Sequence, residues 1–423
     1  MFYPYNRQVI NRLIAVLIAA LLILMSPISS FAAEMSLCGN ENVKEPNIKA
    51  KAGLVYSVDT DEILYSKNPD KKMSPYSITK LVTVYLAINN LDMNKQVTIS
   101  SNAANDIADG STMKLVPGEK VFVKDLVYGA MIVSGNDAAM ALAEAVSGSE
   151  AKFVKLMNET VKEWGCTNTH FNNPWGNKSA NHYTTARDLL EISKAVFAND
   201  DIQKIITYKM YRMPKTNKSD ARYMVRHTTL ANKIDSGVIG GKTGFWEKSD
   251  SSVAGLYNKK QLTLIFILLG DNYKQRDKDA KAMFKFAHAK TLGYLVDRKG
   301  AKTGSVWLRN GARTRLKTEL ARTLRAYPMK QQASKVKAVK TYRQQLTAPI
   351  KKGTIVGRYE VYVNDKLIGS EAILSAENIE KGWFPSQFYI SNTTTVLLAI
   401  AIPLAALFIA LMRKRKTQKV GKH

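Results

Sequence analysis

The chain has 423 residues, 45% of them hydrophobic, with 62 Lys or Arg against 35 Asp or Glu and a formal net charge of +27. This apolar content excludes a disordered chain, and a total of two cysteines, Cys38 and Cys166, excludes a disulfide-stapled scaffold. Whether those two pair or stay free is open in the sequence. The length is that of two domains rather than one.

Residues 1–33 carry Arg7 and Arg12, an apolar run over 13–25, and then Ser30, Ala32 and Ala33, the pattern of a cleaved secretory leader. At the other end, residues 393–412 form an uncharged apolar run of 20 residues, followed at once by Arg413, Lys414, Arg415 and Lys416. Such a run spans a bilayer, tolerates Pro403, and its basic flank places residues 413–423 in the cytoplasm. A buried core helix would seldom run so long without a charge. Trp383, Phe384, Phe388 and Tyr389 stand where an interfacial aromatic belt is expected. The expectation is therefore a cell-membrane protein with a single C-terminal anchor and everything from about residue 34 to 390 outside the cytoplasm.

Leader and tail account for 8 of the positive charges, leaving +19 outside. The densest stretch, 302–352, holds 14 Lys or Arg against Glu319 alone. Nucleic acid is not an expected partner there; anionic envelope polymers or lipid head groups are, beside the plainer reading of a solvated basic face.

Residues 52–58 and 62–66 read as a hairpin, and 77–212 as largely helical, with periodic segments at 125–146, 151–164 and 185–198. Strand character returns at 237–241, 252–257 and most strongly 262–269, and a helix is expected over 277–295. Strands at both ends with helices between them predict an α+β domain over 45–295, its sheet mainly antiparallel. From about 300 the texture changes to short alternating runs, such as 353–363 and 366–369, which predict a small all-β module over 300–385. No repeat of 20 to 50 residues occurs.

The histidines, His170, His182, His227, His288 and His423, form no ligand pair of metalloenzyme spacing, and there is no Gly-x-Ser-x-Gly elbow. A serine enzyme built on this chain needs a base other than histidine, and a lysine of depressed pKa is the alternative. Ser77 and Lys80 lie one turn apart at the head of an apolar helix just after Pro75, where free N–H groups favour negative charge and burial favours a neutral amine. Ser-x-x-Lys alone is weak, since it recurs at Ser111/Lys114, Ser149/Lys152 and Ser334/Lys337. Ser134-x-Asn136 follows an apolar segment, and Lys242-Thr243-Gly244 heads a strand region. Each recurs elsewhere, the first at Ser66/Asn68 and Ser100/Asn102, the second at residues 302–304. The ordered triple is the more specific signal, being the element set of penicillin-binding proteins and class A β-lactamases.

With these motifs, the stretches 171–176, 182–189 and 269–276, and a β-rich C-terminal module, the chain resembles the serine-type D-Ala-D-Ala carboxypeptidases, membrane-anchored penicillin-binding proteins of low molecular mass. The resemblance implies a β-lactamase-like transpeptidase fold with a C-terminal pedestal. It implies removal of the terminal D-alanine from the peptidoglycan stem pentapeptide through an acyl-enzyme, inhibition by β-lactams, and no metal or cofactor. Residue by residue, it makes Ser77 the nucleophile, Lys80 its base, and Ser134 the group that passes a proton to the departing D-alanine. Asn136 holds the peptide and Lys80; Lys242 supplies positive field; Thr243 binds the terminal carboxylate beside Gly244. The backbone N–H groups of Ser77 and Phe245 form the oxyanion hole, and Arg276 matches the carboxylate-binding arginine. Arg276 follows strand 262–269 by a short loop, and that strand is expected beside the one carrying Lys242; without the resemblance Arg276 reads as an exposed loop arginine. Residues 245–252 and 74–77 depart from the usual patterns on either side of the motifs. A β-lactamase would need a Glu-x-x-Leu-Asn element, absent between Asn136 and Lys242. A non-catalytic anchored sensor or scaffold is the remaining alternative.

Overall fold

The computed structural model of the protein describes residues 35–40, 42–105, 110–226 and 234–420. The leader expected over 1–33 and the last three residues of the basic tail lie outside the described residues.

The first sheet is antiparallel and five-stranded. It is assembled from Ala52–Ser57 (β1), Glu62–Lys67 (β2), Val238–Glu247 (β3), Asp250–Lys259 (β4) and Leu262–Asp271 (β5), in the order β2-β1-β5-β4-β3. The join between distant parts of the chain is the β1–β5 ladder, with Leu54 opposite Ile267 and Tyr56 opposite Ile265. Side chains alternate across a strand. In β5, Ile265, Ile267 and Leu269 enter a core shared with the helical region, whereas Leu264, Phe266 and Leu268 enter a second core beneath the helix Tyr273–Lys290. Both faces being covered, the strand reads as an unbroken hydrophobic run rather than an alternating one.

The longer helices among the described residues are Lys80–Asn90 (α1), Val123–Ile132 (α2), Asn136–Ser147 (α3), Glu150–Glu163 (α4), Ala186–Phe197 (α5), Asp200–Thr207 (α6), Tyr273–Lys290 (α7) and Asn392–Val420 (α8). α1 packs against α2, α3 and α5, which buries Leu81, Val82, Val84, Leu86 and Ala87 around its whole circumference. Each large side chain so buried contributes about 1.5–3 kcal/mol. This central helix is what Lys80 heads.

Four expectations need correction. The segment 125–146 is two helices, broken where Ser134 takes φ 61°. The helix expected over 277–295 begins earlier and ends at Lys290, where Gly293–Asp297 becomes a strand between Ser36–Cys38 and Leu324–Ala326. Strand 237–241 runs on to Glu247, so Lys242, Thr243 and Gly244 lie within it. Finally, the tight turn after Glu247 folds β4 back on β3, so β4 separates the Lys242 strand from β5.

Beyond residue 300 a second antiparallel sheet forms from Lys302–Trp307 (β6), Arg315–Leu320 (β7), Val336–Tyr342 (β8), Ile355–Val363 (β9) and Lys366–Ser375 (β10), in the order β6-β7-β10-β9-β8. α8 follows, and its stretch Asn392–Leu411 is long and apolar enough to cross a membrane, with none of it buried against the protein. Cys38 and Cys166 are both free thiols.

Candidate active site

Pro75 leads into a single 3-10 turn, Tyr76–Thr79, which passes directly into α1. Ser77 is half-buried on that turn, and Lys80, at the first position of α1, is fully buried. Lys80 Nζ lies 3.0 Å from Ser77 Oγ, 2.7 Å from Asn136 Oδ1 and 2.8 Å from the Trp175 carbonyl oxygen. Two of these partners can only accept. A neutral amine has two N–H donors and one lone pair, so donation to Asn136 and Trp175 leaves the lone pair aimed at the Ser77 hydroxyl. Burial holds the Lys80 pKa well below its ordinary value, assisted by the positive Lys242 and opposed by Asp137.

The second element is the break between α2 and α3. Ser134 and Gly135 occupy it, and Asn136 opens α3 with its backbone N–H donated to the Ser111 carbonyl. Asp137 fastens the break: its carboxylate accepts the N–H groups of Met113, Leu115 and Ala138 at 2.8–3.1 Å.

The third element is β3. Lys242 is 3% exposed, and its Nζ donates to Ser134 Oγ at 2.9 Å and to the Thr243 carbonyl at 3.0 Å. Burial, then the charge of Arg226, brings its pKa down to about 7. Gly244 is needed for close approach, since a Cβ there would stand 2.5 Å from the Pro75 carbonyl oxygen. Its bareness lets β3 lie against the nucleophile turn. Tyr76 ties the same turn to the β3–β4 hairpin, its hydroxyl donating to Asp250 at 2.8 Å and its ring stacked on Trp246.

Arg276 lies in the first turn of α7 and is 1% exposed, which overturns the reading of an exposed loop arginine. It donates to Ser251 Oγ at 2.9 Å and to Asp277, and its guanidinium lies over the Tyr273 ring. Ser251 pairs with Phe245 across the β3–β4 ladder. Arg276 therefore reaches the site's edge through β4 and not from a strand beside β3.

Three participants were not foreseen. Trp175 acts through a carbonyl, which every residue has, so its type gave no signal. Its loop is held by Asn173, whose Oδ1 accepts the N–H groups of Gly176 and Asn177, and by His182. The buried His182 ring, its pKa lowered to about 3 chiefly by burial, bridges Thr79 Oγ1 and Asn172 Oδ1. Tyr76 is the second. Arg226, bonded to the Gly241 carbonyl at 3.2 Å, is the third; it follows a hairpin, Met210–Met213 with Arg222–Val225, that carries none of the motifs.

A serine hydroxyl facing the lone pair of a buried amine, a second hydroxyl on a second lysine, and an open strand edge beside both can carry out acyl transfer. Residues 40–273 match the family model of D-alanyl-D-alanine carboxypeptidases, and residues 296–381 match the C-terminal domain of penicillin-binding protein 5. The chain is 28% identical to the D-alanyl-D-alanine carboxypeptidase DacF of Bacillus subtilis, over 88% of this chain and 96% of that one. It is 30% identical to DacC of Escherichia coli, over 86% and 91% respectively. Penicillin-binding protein 5 of Haemophilus influenzae superposes with a TM-score of 0.55 at 27% identity, covering 80% of this chain and all of that one. The chain belongs to the D-alanyl-D-alanine carboxypeptidase family.

Proposed function

We propose that the protein removes the terminal D-alanine from the peptidoglycan stem pentapeptide through an acyl-enzyme on Ser77, anchored outside the cytoplasm by α8 after export on its leader. The single observation that carries the catalytic reading is the position of Lys80 Nζ, 3.0 Å from Ser77 Oγ with its other two partners restricted to accepting. Neutral Lys80 takes the hydroxyl proton as Ser77 Oγ attacks the carbonyl of the penultimate D-alanine. The N–H groups of Ser77 and Phe245 stabilise the oxyanion. Collapse breaks the C–N bond: Ser134, held by Lys242 at 2.9 Å, hands its hydroxyl proton to the departing amine, and the proton that Lys80 took from Ser77 replaces it, so that Lys80 is neutral again. Water, activated by the same lysine, then hydrolyses the ester. Lys242 and Thr243 receive the substrate's terminal carboxylate, and Arg276 sets the field and shape of the edge they occupy.

A β-lactam presents the same carbonyl in a strained ring and stops at the ester. Incubation with penicillin followed by peptide mass mapping should find the adduct on Ser77. An adduct on Ser111, Ser149 or Ser334 would remove the assignment. Lys80→Ala should slow acylation by at least about 100-fold, the lower range of general acid–base contributions.

A further inference from the structure

Outside α8, five of the exposed large apolar side chains gather at one end of the C-terminal β domain. They are Trp307, Trp383, Phe384, Phe388 and Tyr389, each more than about two-fifths exposed. Trp307 and Tyr389 meet edge-on with ring centroids 5.7 Å apart, although 82 positions separate them in sequence. The Arg315 guanidinium lies 3.9 Å from the Trp307 ring centre, and Arg309 and Lys381 are exposed close by in the chain.

This patch is bound to the start of α8. The loop after Trp307 exchanges backbone hydrogen bonds with the pre-helix segment: Gly382 N–H to the Asn310 carbonyl at 2.7 Å, Asn310 N–H to Ser386 at 3.2 Å, and Ala312 N–H to Glu380 at 2.9 Å. The Asn392 N–H, at the first residue of α8, donates to the Ala312 carbonyl at 3.1 Å, and Asn392 Oδ1 accepts the Trp383 N–H at 2.9 Å. The helix start is thus fastened to the β domain beside Trp307 instead of hanging from it on a free linker. Wherever α8 enters a bilayer, the Trp307 end of the domain must arrive at the same surface.

We propose that this end of the β domain is a membrane-seating surface. Trp307 rests in the lipid head-group layer beside the pre-helix aromatics, with Arg309, Arg315 and Lys381 facing lipid phosphates. Amphipathic rings and arginine are the side chains that this layer favours, and anionic lipid adds attraction for the cations. The inference rests on the reading of α8 as a membrane span, and it adds that the domain is seated on the bilayer rather than tethered above it.

The test uses the full chain reconstituted in phosphatidylcholine–phosphatidylglycerol vesicles that carry lipids brominated high in their acyl chains. Tryptophan emission is compared between the protein as it stands, Trp307→Phe and Trp383→Phe. Each substitution should remove about half of the lipid-quenchable emission, because both indoles sit at the interface while Trp164, Trp175 and Trp246 stay remote. Trp307→Tyr should reproduce the Trp307→Phe result if the edge strand is undisturbed, and D-alanine release should be unchanged in all three variants. Replacing phosphatidylglycerol with neutral lipid should weaken the quenching of Trp307 more than that of Trp383. Quenching lost in Trp383→Phe but intact in Trp307→Phe would overturn the seating and leave the anchor standing. No quenching of either indole would overturn the anchor and the seating together.

Discussion

In the proposed mechanism two buried lysines divide one task, and their division makes the reaction depend on pH from both sides. Lys80 must be neutral to accept the Ser77 proton, so acylation rises with pH as it loses its own. Lys242 must be charged to hold Ser134 and a carboxylate, and burial brings its pKa to about 7, so the rate falls as pH climbs through that range. The anionic substrate pushes Lys242 back upward when bound. Lys242→Arg keeps the charge at any working pH, so the alkaline limb of kcat/KM should move to higher pH while the acid limb stays. An unmoved alkaline limb would assign it to another group. Arg276 is the specificity prediction. With its guanidinium buried and bonded to Ser251 and Asp277, Arg276 shapes the strand edge proposed to receive the carboxylate, and Arg276→Ala should lower kcat/KM on a free-acid D-Ala-D-Ala peptide about 10- to 200-fold, the worth of one charged hydrogen bond lost between that edge and the carboxylate. An otherwise equal peptide amide should lose much less; equal losses on both would make Arg276 a purely structural residue. The side chains brought together at the site were legible because their types are restricted by chemistry, and the look-alikes fall away once placed. Ser149 caps α4 by accepting the Lys152 N–H, and the second Lys-Thr-Gly lies on β6 in the other sheet. The Trp175 carbonyl was not legible, because a backbone group has no letter of its own.

At the level of elements, the site exists because two chain segments approach the nucleophile turn more closely than any side chain would permit. Gly244 does this from β3, and Gly176 does it from the loop that carries Trp175. At Gly176 φ is +90°, and a Cβ would lie 1.9 Å from the Tyr76 carbonyl oxygen. Gly165 has a similar φ of +84° but open space around it. Gly165→Ala should therefore cost only the backbone term, about 1 kcal/mol, and leave acylation alone. Gly176→Ala should cost more and also slow acylation of Ser77, because the Trp175 carbonyl is displaced from Lys80. Thermal unfolding and penicillin acylation rates measured on both variants check this; equal behaviour would mean that the loop's approach is not what positions Lys80. The hairpin, the strong strand 262–269 and the helical middle were legible as local periodicities. Sheet order was not: whether β4 or β5 neighbours β3 is decided by a turn of a few residues after Glu247 and by a β1–β5 pairing some 210 residues apart. The C-terminal limit of α7 was misread for a related reason, since Gly293–Asp297 is a strand only because Ser36–Cys38 and Leu324–Ala326 flank it.

Over the whole molecule, one sheet covered on both faces carries the site, and a second sheet precedes an apolar helix of membrane-spanning length. The densest run of the cationic excess falls in the β domain that precedes α8. The motifs and the apolar C-terminal run were legible because each is contiguous; the fastening of α8 to the β domain depends on backbone hydrogen bonds between loops and was not. The family and the geometry around Ser77 both point to hydrolysis at one bond. The most direct measurement incubates the purified full-length protein with a peptide ending in D-Ala-D-Ala and quantifies free D-alanine, beside Ser77→Ala under the same conditions. One D-alanine released per peptide over many turnovers, abolished in Ser77→Ala, is the predicted result. A folded protein that acquires penicillin on Ser77 yet releases no D-alanine would contradict the account and leave an acylated sensor in place of an enzyme.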